Sequence, residues 1–369
     1  MSTFPVPDCP ESMSGSAPVA QPIKAEPTVG VIANPMSGRD VRRVAARAPR
    51  QTPDDKRNQI QRAVIGSVAA GARRILLVGD CFRSSQSAIE ALQLDASIEL
   101  LDVVMETKPS DTSRTVEAMR KQGASALLVL GGDGTNRMVA RAWEDAPLVS
   151  ISTGTNNVFP EMLEATSAGA AAGLVASGAV ALDDVARPAK RISVEYADGT
   201  RDLALIDAAL LADDHPGSLM PFDPSRLRHL VLARAEPSAV GMSPIGGLLH
   251  PSGYHDDHGV EVRCTGHDGT GSLLLVAVSP GLYRNARVET SRKLELGETV
   301  EMIGPGVIAF DGDRQRRLEP GETVRLRVER KGPWVIDVRQ TLTVAAERGV
   351  FQDRHWHDVI DQRSRFDCC

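Results

Sequence analysis

Residues 127–136 carry the strongest chemical signal in the sequence. An apolar run, Leu127 to Leu130, leads directly into Gly-Gly-Asp-Gly-Thr-Asn. Glycines allow positive φ angles and close approach of the backbone, so main-chain N–H groups can point at phosphate oxygens. The turn is therefore predicted to bind phosphate through its three glycines, Gly131, Gly132 and Gly134.

Asp133 is unexpected at the centre of such a turn, because a carboxylate would repel phosphate. It is better suited to accept a proton from an attacking hydroxyl or to hold Mg²⁺. The structural alternative is an ordinary turn from strand to helix, in which Asp133 or Thr135 caps the helix that runs through Met138. Taken alone, the turn favours the capping interpretation.

A second strand and loop reverse this preference. Leu148 to Ile151 is apolar, and it runs into a segment of hydroxyl, glycine and amide residues. Neighbouring strands of a parallel sheet end at one crevice, so both loops are expected to line the same site. The threonines suit phosphate, and the asparagines suit a ribose or an adenine edge. The candidate ligands in this loop are Thr153, Gly154, Thr155, Asn156 and Asn157.

A third loop of small residues follows the first strand of the folded region. Val29 to Ala33 is apolar and leads into Asn-Pro-Met-Ser-Gly-Arg. Asn34, Ser37 and Gly38 are predicted to cradle phosphate there.

Together the three loops resemble those of the superfamily of NAD kinases and diacylglycerol/sphingosine-type lipid kinases. The matching strings are Gly-Gly-Asp-Gly-Thr at 131–135, Asn-Pro-x-Ser-Gly at 34–38 and Thr-Gly-Thr-Asn-Asn at 153–157. Within that superfamily the chain is most similar to the ATP-NAD kinase-like group, which includes proteins of acetoin catabolism. The resemblance implies that Asp133 acts at the substrate hydroxyl, while the flanking glycines and Thr135 hold the nucleotide phosphates.

The resemblance also implies a reaction: transfer of a phosphoryl group from ATP or polyphosphate, with Mg²⁺, to a hydroxyl of a nucleotide. The 2′-hydroxyl of NAD is the leading acceptor. NAD kinases grip that ribose with an Asn-Glu pair that has no convincing equivalent here, because Glu161 and Glu164 have the wrong spacing. A P-loop enzyme is excluded, since the sequence has no Walker string.

Two alternatives stay open. One is a lipid or polyol kinase of the diacylglycerol kinase type, and the other is a non-catalytic nucleotide-binding accessory protein of acetoin catabolism. The family resemblance makes a homo-oligomer a reasonable expectation.

An acidic segment near residue 311 resembles the Asp-Gly-Glu segment of lipid kinases, in which an acid returns towards the nucleotide loops. Here the segment reads Asp311-Gly312-Asp313, with a shorter second acid. We predict Asp311 and Asp313 as the metal ligands. The alternative is a hairpin turn with Asp-Gly at its tip.

Three other clusters have weaker signals. The Tyr254 to His258 segment looks like a metal site but is more typical of a solvated loop. Asp213 to Gly217 is predicted to be a loop with a possible substrate contact. Arg187, Lys190 and Arg191 either neutralise phosphate or form a solvated charge run.

Short apolar runs alternate with helical stretches up to about residue 160. This alternation predicts a Rossmann-like parallel sheet covered by helices on both faces. The predicted strands are Val29–Ala33, Ile75–Val78, Ile98–Val104, Leu127–Leu130 and Leu148–Ile151. The predicted crossover helices are Arg57–Gly71, Ser84–Leu94 and Thr112–Gln122.

After Pro160 a helix, Ser167–Ser177, precedes strands separated by Asp-Gly turns, which indicates a mostly antiparallel β domain. The predicted strands are Arg191–Tyr196, Leu203–Leu211, Val260–Cys264, Ser272–Val278, Thr299–Ile303 and Thr323–Val328. The expected organisation is a disordered tail (1–27), a nucleotide-binding α/β domain (28–160), a β-rich substrate domain (161–330) and a C-terminal segment that returns to the first domain and ends in a flexible tail (331–369).

Composition limits the class of protein. The 369 residues are 42% hydrophobic, enough for two domains with cores, and the net charge of −6 argues against a nucleic-acid-binding protein. No apolar stretch reaches the roughly 20 residues that span a bilayer, and no signal-peptide core is evident, so we expect a cytoplasmic protein.

The five cysteines are too few and too scattered for a disulfide framework or a zinc site. Cys9, Cys81 and Cys264 are expected to be reduced thiols, and Cys368-Cys369 to be an exposed, oxidisable end.

Deleting the tail, residues 1–27, should leave the melting temperature nearly unchanged, because this Pro-, Ser- and Ala-rich segment has no apolar period. Thermal denaturation of the shortened chain tests this, and loss of soluble protein would contradict it.

Overall fold

The computed structural model describes residues 26–38, 47, 51–90, 92–154, 156–218, 222–266 and 269–352. The sequence predictions for the tail up to residue 25, for Cys9, for Thr155 and for Cys368-Cys369 lie outside these residues.

Within the described residues, strands account for most of the regular structure after residue 186. In chain order the strands are β1 (Thr28–Ala33), β2 (Arg74–Val78), β3 (Ser97–Leu101), β4 (Ala126–Gly131), β5 (Pro147–Ser152), β6 (Ala186–Pro188), β7 (Arg191–Tyr196), β8 (Arg201–Ala204), β9 (Asp207–Leu211), β10 (Leu227–Leu232), β11 (His258–Cys264), β12 (Ser272–Ser279), β13 (Leu282–Glu295), β14 (Thr299–Ile303), β15 (Gly306–Phe310), β16 (Asp313–Leu318), β17 (Thr323–Glu329) and β18 (Trp334–Ile336).

The helices lie mainly in the first half of the chain. They are α1 (Pro53–Ala69), α2 (Ser84–Ile89), α3 (Pro109–Lys121), α4 (Asp133–Ala142), α5 (Ala165–Ala176), α6 (Leu182–Val185), α7 (Ser243–Gly247) and α8 (Val338–Glu347).

The N-terminal sheet has the strand order β3-β2-β1-β4-β5-β18-β6 and is parallel except for β6. The order runs outward in opposite directions from β1 and β4, so a crevice opens at their carboxyl ends. The predicted parallel α/β architecture is confirmed. Two elements are shorter than predicted, since β3 ends at Leu101 and α2 ends at Ile89.

Helices cover both faces of this sheet. One apolar core contains residues of α1 and α5, and another, on the opposite face, contains residues of α3 and α4. The α1–α5 contact is close because small residues meet there: a Cβ on Gly169 would lie 2.1 Å from the Ala63 carbonyl oxygen, and one on Gly173 would lie 2.3 Å from that of Ser67. This contact fixes α1, whose first turn carries the buried Lys56.

The second part of the chain forms two antiparallel sheets, as the sequence predicted. Their orders are β12-β13-β11-β10-β9-β15-β16 and β14-β17-β7-β8. Residues such as Leu210, Phe310 and Leu326 fill the apolar core to which both sheets contribute. Strands β10, β13, β15 and β16 were not predicted.

The predicted strand Leu203–Leu211 is in fact two strands in different sheets, β8 and β9. The chain breaks between them because the amides of Leu205, Ile206 and Asp207 all donate to the carboxylate of Asp311. A distant side chain therefore decides where the strand ends.

The chain returns to the first sheet near its end. Strand β18 lies parallel beside β5, and α8 packs against α5. At the other end, the Pro27 carbonyl accepts from the amides of Arg73 and Arg74, so a neutral tail deletion should stop at residue 25. The four-part division of the chain stays a proposal.

Among the described residues, no helix is both long enough and apolar enough to cross a membrane.

Replacement of Gly169 by alanine should lower the free energy of unfolding by about 1–3 kcal/mol, because the new methyl group meets the α1 backbone. Helix propensity alone would predict the opposite, a gain of up to about 1 kcal/mol. Urea denaturation measures the difference, with Ser167→Ala on the same helix as the control. A Gly169→Ala variant more stable than wild type would show that the helices are free to separate.

Candidate functional site

A cavity of about 630 Å³ opens where the topology places it, at the carboxyl ends of β1 and β4. The three predicted loops and the β15–β16 hairpin converge on it. The predicted site residues that line it are Asn34, Ser37, Gly38, Gly132, Asp133, Gly134, Thr135, Gly154, Asn156, Asn157, Asp311 and Asp313.

Asn34 organises the Asn34–Gly38 loop and joins it to the Gly131–Asn136 turn. Its Oδ1 accepts from the amides of Met36 (2.9 Å) and Ser37 (3.3 Å), and its Nδ2 donates to the Thr135 hydroxyl (2.8 Å). Gly38 closes the loop at φ +77°, a conformation that favours glycine. The loop is thus fixed by its own residues before any ligand binds.

Lys56 stabilises the same loop by hydrogen bonds to its backbone, and the sequence analysis missed this residue. This side chain is 2% exposed, and its ammonium donates to the carbonyls of Asn34, Pro35 (2.9 Å) and Ser37 (2.6 Å). Nothing in its neighbourhood along the chain marks this role, because its partners lie about twenty residues earlier.

The predicted backbone conformation of the central glycines was wrong. Positive φ angles occur at other glycines but not at Gly131, Gly132 or Gly134. These positions need glycine for space: added Cβ atoms would lie 2.6 Å from the Thr135 side chain, 2.8 Å from Asn157 Oδ1 and 3.1 Å from Asp313 Oδ2, respectively. The loops pack on one another through the gaps that these glycines leave.

Two predicted phosphate ligands, Gly131 and Thr153, do not line the cavity. The Thr153 amide donates to the Gly131 carbonyl (3.2 Å), and the Thr153 hydroxyl lies 2.5 Å from that of Ser37. Gly131 is the last residue of β4, Thr153 directly follows β5, and their contacts connect the loops.

Helix α4 begins at Asp133, and neither Asp133 nor Thr135 caps it. Gly132 is the N-cap residue, and it makes no side-chain cap hydrogen bond. The Asp133 carboxylate instead accepts from the amides of Val158 (3.1 Å) and Phe159 (2.8 Å). The positive end of the helix dipole therefore faces the cavity, which suits a phosphate group.

The Asp133 carboxyl group is buried, with 9% of the residue exposed. Burial raises its pKa to about 7; the amides of Phe159 and Val158 oppose the increase, and the charge of Asp311 adds to it. A carboxyl group that titrates near neutral pH suits general-base catalysis.

Two further carboxyl groups share this environment. Burial raises the pKa of Asp311 to about 6, against the opposing charge of Arg137. Burial and the charges of Asp311 and Asp133 raise the pKa of Asp207 well above its ordinary value. The sequence analysis did not single out Asp207.

The Asp311-Gly312-Asp313 segment is at a hairpin turn, and its two acids also lie at the cavity formed by the loops. Asp311 (φ +49°) and Gly312 (φ +81°) form the two-residue loop of the β15–β16 hairpin, and both acids line the cavity. The oxygens of Asp311 are engaged by three backbone amides. Asp313 lies against Gly134, at the start of α4.

Magnesium was predicted at Asp311 and Asp313. In the part of the chain that the structure describes, no group of three or more His, Cys, Asp or Glu side chains is arranged to hold a metal ion. Mg²⁺ usually binds through one or two carboxylates together with substrate phosphates, so a preformed cage is not required. Asp313 is the better placed of the two for that mode, because it lies against Gly134 at the first turn of α4, where donor phosphates are expected.

The sequence analysis also missed two lining segments, the loop Gly79–Cys81 after β2 and residues around the start of α3, such as Lys108 and Thr112. The first follows the strand beside β1 and obeys the same rule as the predicted loops. Applying that rule to every strand would have found it.

A second, smaller cavity of about 60 Å³ adjoins the first. Asp133, Asn156 and Asp311 line both cavities, so they lie where the two meet. Apart from Val158, the other residues that line the smaller cavity belong to the second, antiparallel part of the chain.

The weaker clusters lie elsewhere. Arg187 pairs with Asp257 (3.0 Å), Arg191 pairs with Glu144 (2.8 Å), and the buried Lys190 donates to Ser252 (2.7 Å). None of these three basic residues lines the 630 Å³ cavity.

Sequence comparison agrees with this geometry. Residues 29–180 match the family described as ATP-NAD kinase N-terminal domain, and residues 190–331 match the family described as Acetoin catabolism protein X C-terminal domain. The first half of the site thus lies in an NAD kinase-like domain.

A relative from Cupriavidus necator, named Acetoin catabolism protein X, is 32% identical over 327 residues, covering 85% of this chain and 90% of the relative. The chain therefore belongs to the acetoin catabolism protein X family.

Similar solved structures include an NAD kinase from Archaeoglobus fulgidus in complex with ATP, with a TM-score of 0.41, 13% identity and coverage of 75% of this chain and 99% of that one. A diacylglycerol kinase from Bacillus anthracis str. Sterne has a TM-score of 0.40, 11% identity and coverage of 84% and 96%, respectively. The family assignment depends on the sequence matches alone.

Asp133→Asn should make the free energy of unfolding less dependent on pH. A raised folded-state pKa gives stability that is fully present below the unfolded value, near 3.8, and is lost as pH rises through about 7. Wild-type stability should therefore fall between pH 4 and pH 8 by more than that of the variant. Denaturant titration at both pH values measures this, with the exposed Asp95→Asn as control. Equal slopes for wild type and Asp133→Asn would show that Asp133 ionises freely.

Proposed function

We propose that the protein is a phosphotransferase that moves a phosphoryl group from ATP or polyphosphate to an alcohol hydroxyl, with Asp133 as the general base. The observation that carries this proposal is the position of Asp133 where the two cavities meet. A carboxyl group there adjoins a nucleotide-sized space on one side and a smaller space on the other.

The larger cavity is the proposed donor site. Its volume of about 630 Å³ falls within the roughly 300–1,000 Å³ of ordinary ligand pockets. The first turn of α4 faces it, and the Asn34–Gly38 loop lies beside that turn. Backbone amides and hydroxyls of this kind bind phosphate without a Walker sequence. The match of residues 29–180 to an ATP-NAD kinase domain supports ATP as the donor.

Magnesium would supply charge neutralisation on the donor phosphates when it is bound. Asp313 is the residue proposed to hold it. The other ligands would come from the phosphates and from water, as is usual for this ion.

The 2′-hydroxyl of NAD is the acceptor that the N-terminal domain match favours. The residues that follow the Thr153–Asn157 loop give no further support for NAD as the acceptor. Glu164 caps α5 through the amides of Thr166 (2.6 Å) and Ser167 (3.0 Å) and pairs with Arg62 (2.7 Å), so it is engaged away from a ribose. A polyol acceptor is the second candidate, and the small cavity is the observation that favours it.

The name of the Cupriavidus necator relative suggests the metabolic setting. We propose that this chain also serves acetoin catabolism, either as the kinase described above or as a nucleotide-binding accessory protein.

Asp133→Asn should reduce phosphoryl transfer by about 10²- to 10⁴-fold, the usual contribution of a general base. Nucleotide affinity should change little, because the asparagine oxygen can still accept from the amides of Val158 and Phe159. Acceptor-dependent ADP release and mass spectrometry of the product measure transfer, and calorimetry measures ATP affinity.

Asp337→Asn is the matched control, because Asp337 caps α8 through the Gln340 amide (2.8 Å), and asparagine caps equally well. Near wild-type turnover in a folded Asp133→Asn protein would exclude the catalytic role. ATP binding without Mg²⁺-dependent turnover for any acceptor in the wild type would favour the accessory protein.

A further inference from the structure

Two residues that line the 60 Å³ cavity, Asn156 and Asp207, each have a side-chain oxygen whose hydrogen-bonding capacity is not used. Asn156 Oδ1 and Asp207 Oδ1 are buried and have no hydrogen-bond partner among the described residues. The Asn156 amide nitrogen faces the Val278 carbonyl and the Ser279 hydroxyl, at 3.5 Å each, which leaves Oδ1 as the free atom. The Asp207 carboxyl group also accepts from the Gly312 amide. Buried polar atoms usually find a partner, so these two point to a ligand with hydrogen-bonding groups.

The acidic side chains of the cavity disfavour an anionic ligand there. The carboxyl groups of Asp133, Asp207 and Asp311 all line it. The cation in its wall, Arg314, is 6% exposed, lies 3.2 Å from Asp214 and donates to the Gly312 carbonyl at 3.5 Å. A phosphate or carboxylate would therefore meet three acids and a guanidinium that is already paired.

Neutral hydroxyl groups match both open oxygens. A hydroxyl donates to an amide oxygen such as Asn156 Oδ1, and it can either donate to or accept from a carboxyl group such as that of Asp207, whichever form is present. The rest of the wall includes apolar side chains such as Val240, Met242 and Val278, which suit a short carbon chain.

The volume of the cavity limits the size of the ligand that it can hold. A space of about 60 Å³ holds roughly four to six water-sized groups, at about 10–15 Å³ for each. That is the size of a small diol or triol, whereas a dinucleotide or a diacylglycerol is far larger.

We propose that this cavity is the acceptor site and that the acceptor is a small neutral diol or polyol, held by Asn156 Oδ1 and Asp207 Oδ1 with one hydroxyl at Asp133. The proposal rests on the phosphotransferase function above and takes the second acceptor named there, a polyol, in place of NAD. The acceptor oxygen bonds to the γ-phosphorus, the bond to the β,γ-bridging oxygen breaks, and ADP leaves with the electron pair. The hydroxyl proton passes to the Asp133 carboxylate.

Val240→Phe tests the site by filling it. Val240 is half-buried and lines the small cavity but not the large one. We expect at least a tenfold increase in KM for glycerol or 2,3-butanediol, with ATP affinity unchanged by calorimetry. Val350→Phe, at a half-buried valine in a turn far from both cavities, is the matched control and should change neither quantity.

Asp207→Asn is the second variant, in case Val240→Phe does not fold. It keeps the shape of the side chain but changes its hydrogen bonding, so KM for the small alcohol should rise while ATP affinity stays the same. An unchanged KM in both folded variants would overturn the acceptor site.

Binding is measured separately from transfer, by saturation-transfer NMR of glycerol and 2,3-butanediol with the full chain and a non-hydrolysable ATP analogue. Binding that Val240→Phe abolishes would support the site even if no transfer occurs, and the phosphotransferase proposal alone would then fail. Transfer to NAD or to diacylglycerol, with no binding of either small alcohol, would overturn this inference and leave the phosphotransferase intact. Absence of both binding and transfer would overturn both.

Discussion

The burial of carboxyl groups on backbone amides is the constraint on which the site depends. Asp133 is the first residue of α4, which follows β4 of the N-terminal sheet, and it accepts from the amides of Val158 and Phe159. Asp311 lies at the tip of a hairpin and accepts from the amides of Leu205 and Ile206, which connect β8 and β9, and from that of Asp207, the first residue of β9. Amides stabilise a carboxylate that has lost its water, so each acid specifies the path of a distant segment of chain. Because both acids line the same cavities, this arrangement also joins the two parts of the chain at the site.

This arrangement has an energetic cost, which is visible in the pKa values. The amides favour the charged forms, yet burial still raises the pKa of Asp133 to about 7, with a contribution from the charge of Asp311, and burial raises that of Asp311 to about 6. A folded protein keeps such groups only where other interactions offset the cost, and they concentrate at functional sites. The close packing of α1 on α5 and the apolar cores of both sheets supply that stability.

The parallel sheet and most of the cavity lining could be predicted from the sequence, because both follow from local order along the chain. Each apolar strand is followed directly by its loop, and topology brings the ends of adjacent strands together. Lys56 and Asp207 could not be found in this way. Their roles depend on partners that the fold brings near, and an isolated lysine or aspartate carries no local mark. The same reason explains the strand predicted at 203–211, whose break is set by Asp311, about a hundred residues later.

The glycines of the Gly131–Asn136 turn were correctly selected from the sequence, but for an incorrect reason. Positive φ was the expected cause, but Gly132 and Gly134 instead leave room for Asn157 and Asp313. Only a side chain from another loop makes that requirement visible. A glycine motif read from sequence therefore identifies a crowded site more securely than it identifies a backbone conformation.

The two cavities also divide along the chain in a way that bears on specificity. Most of the wall of the larger one comes from residues 29–180, whereas Asp207, Val240, Met242 and Arg314 of the smaller one come from residues 190–331. The part of the chain that matches an ATP-NAD kinase domain thus supplies most of the proposed donor site, and the part that matches the family's C-terminal domain shapes the space beyond Asp133. If the base is fixed by the first domain and the acceptor by the second, exchange of the second domain changes the substrate without moving the chemistry. The amides that hold Asp311 are then essential for a further reason, because they keep the hairpin of the second domain in place beside the base of the first.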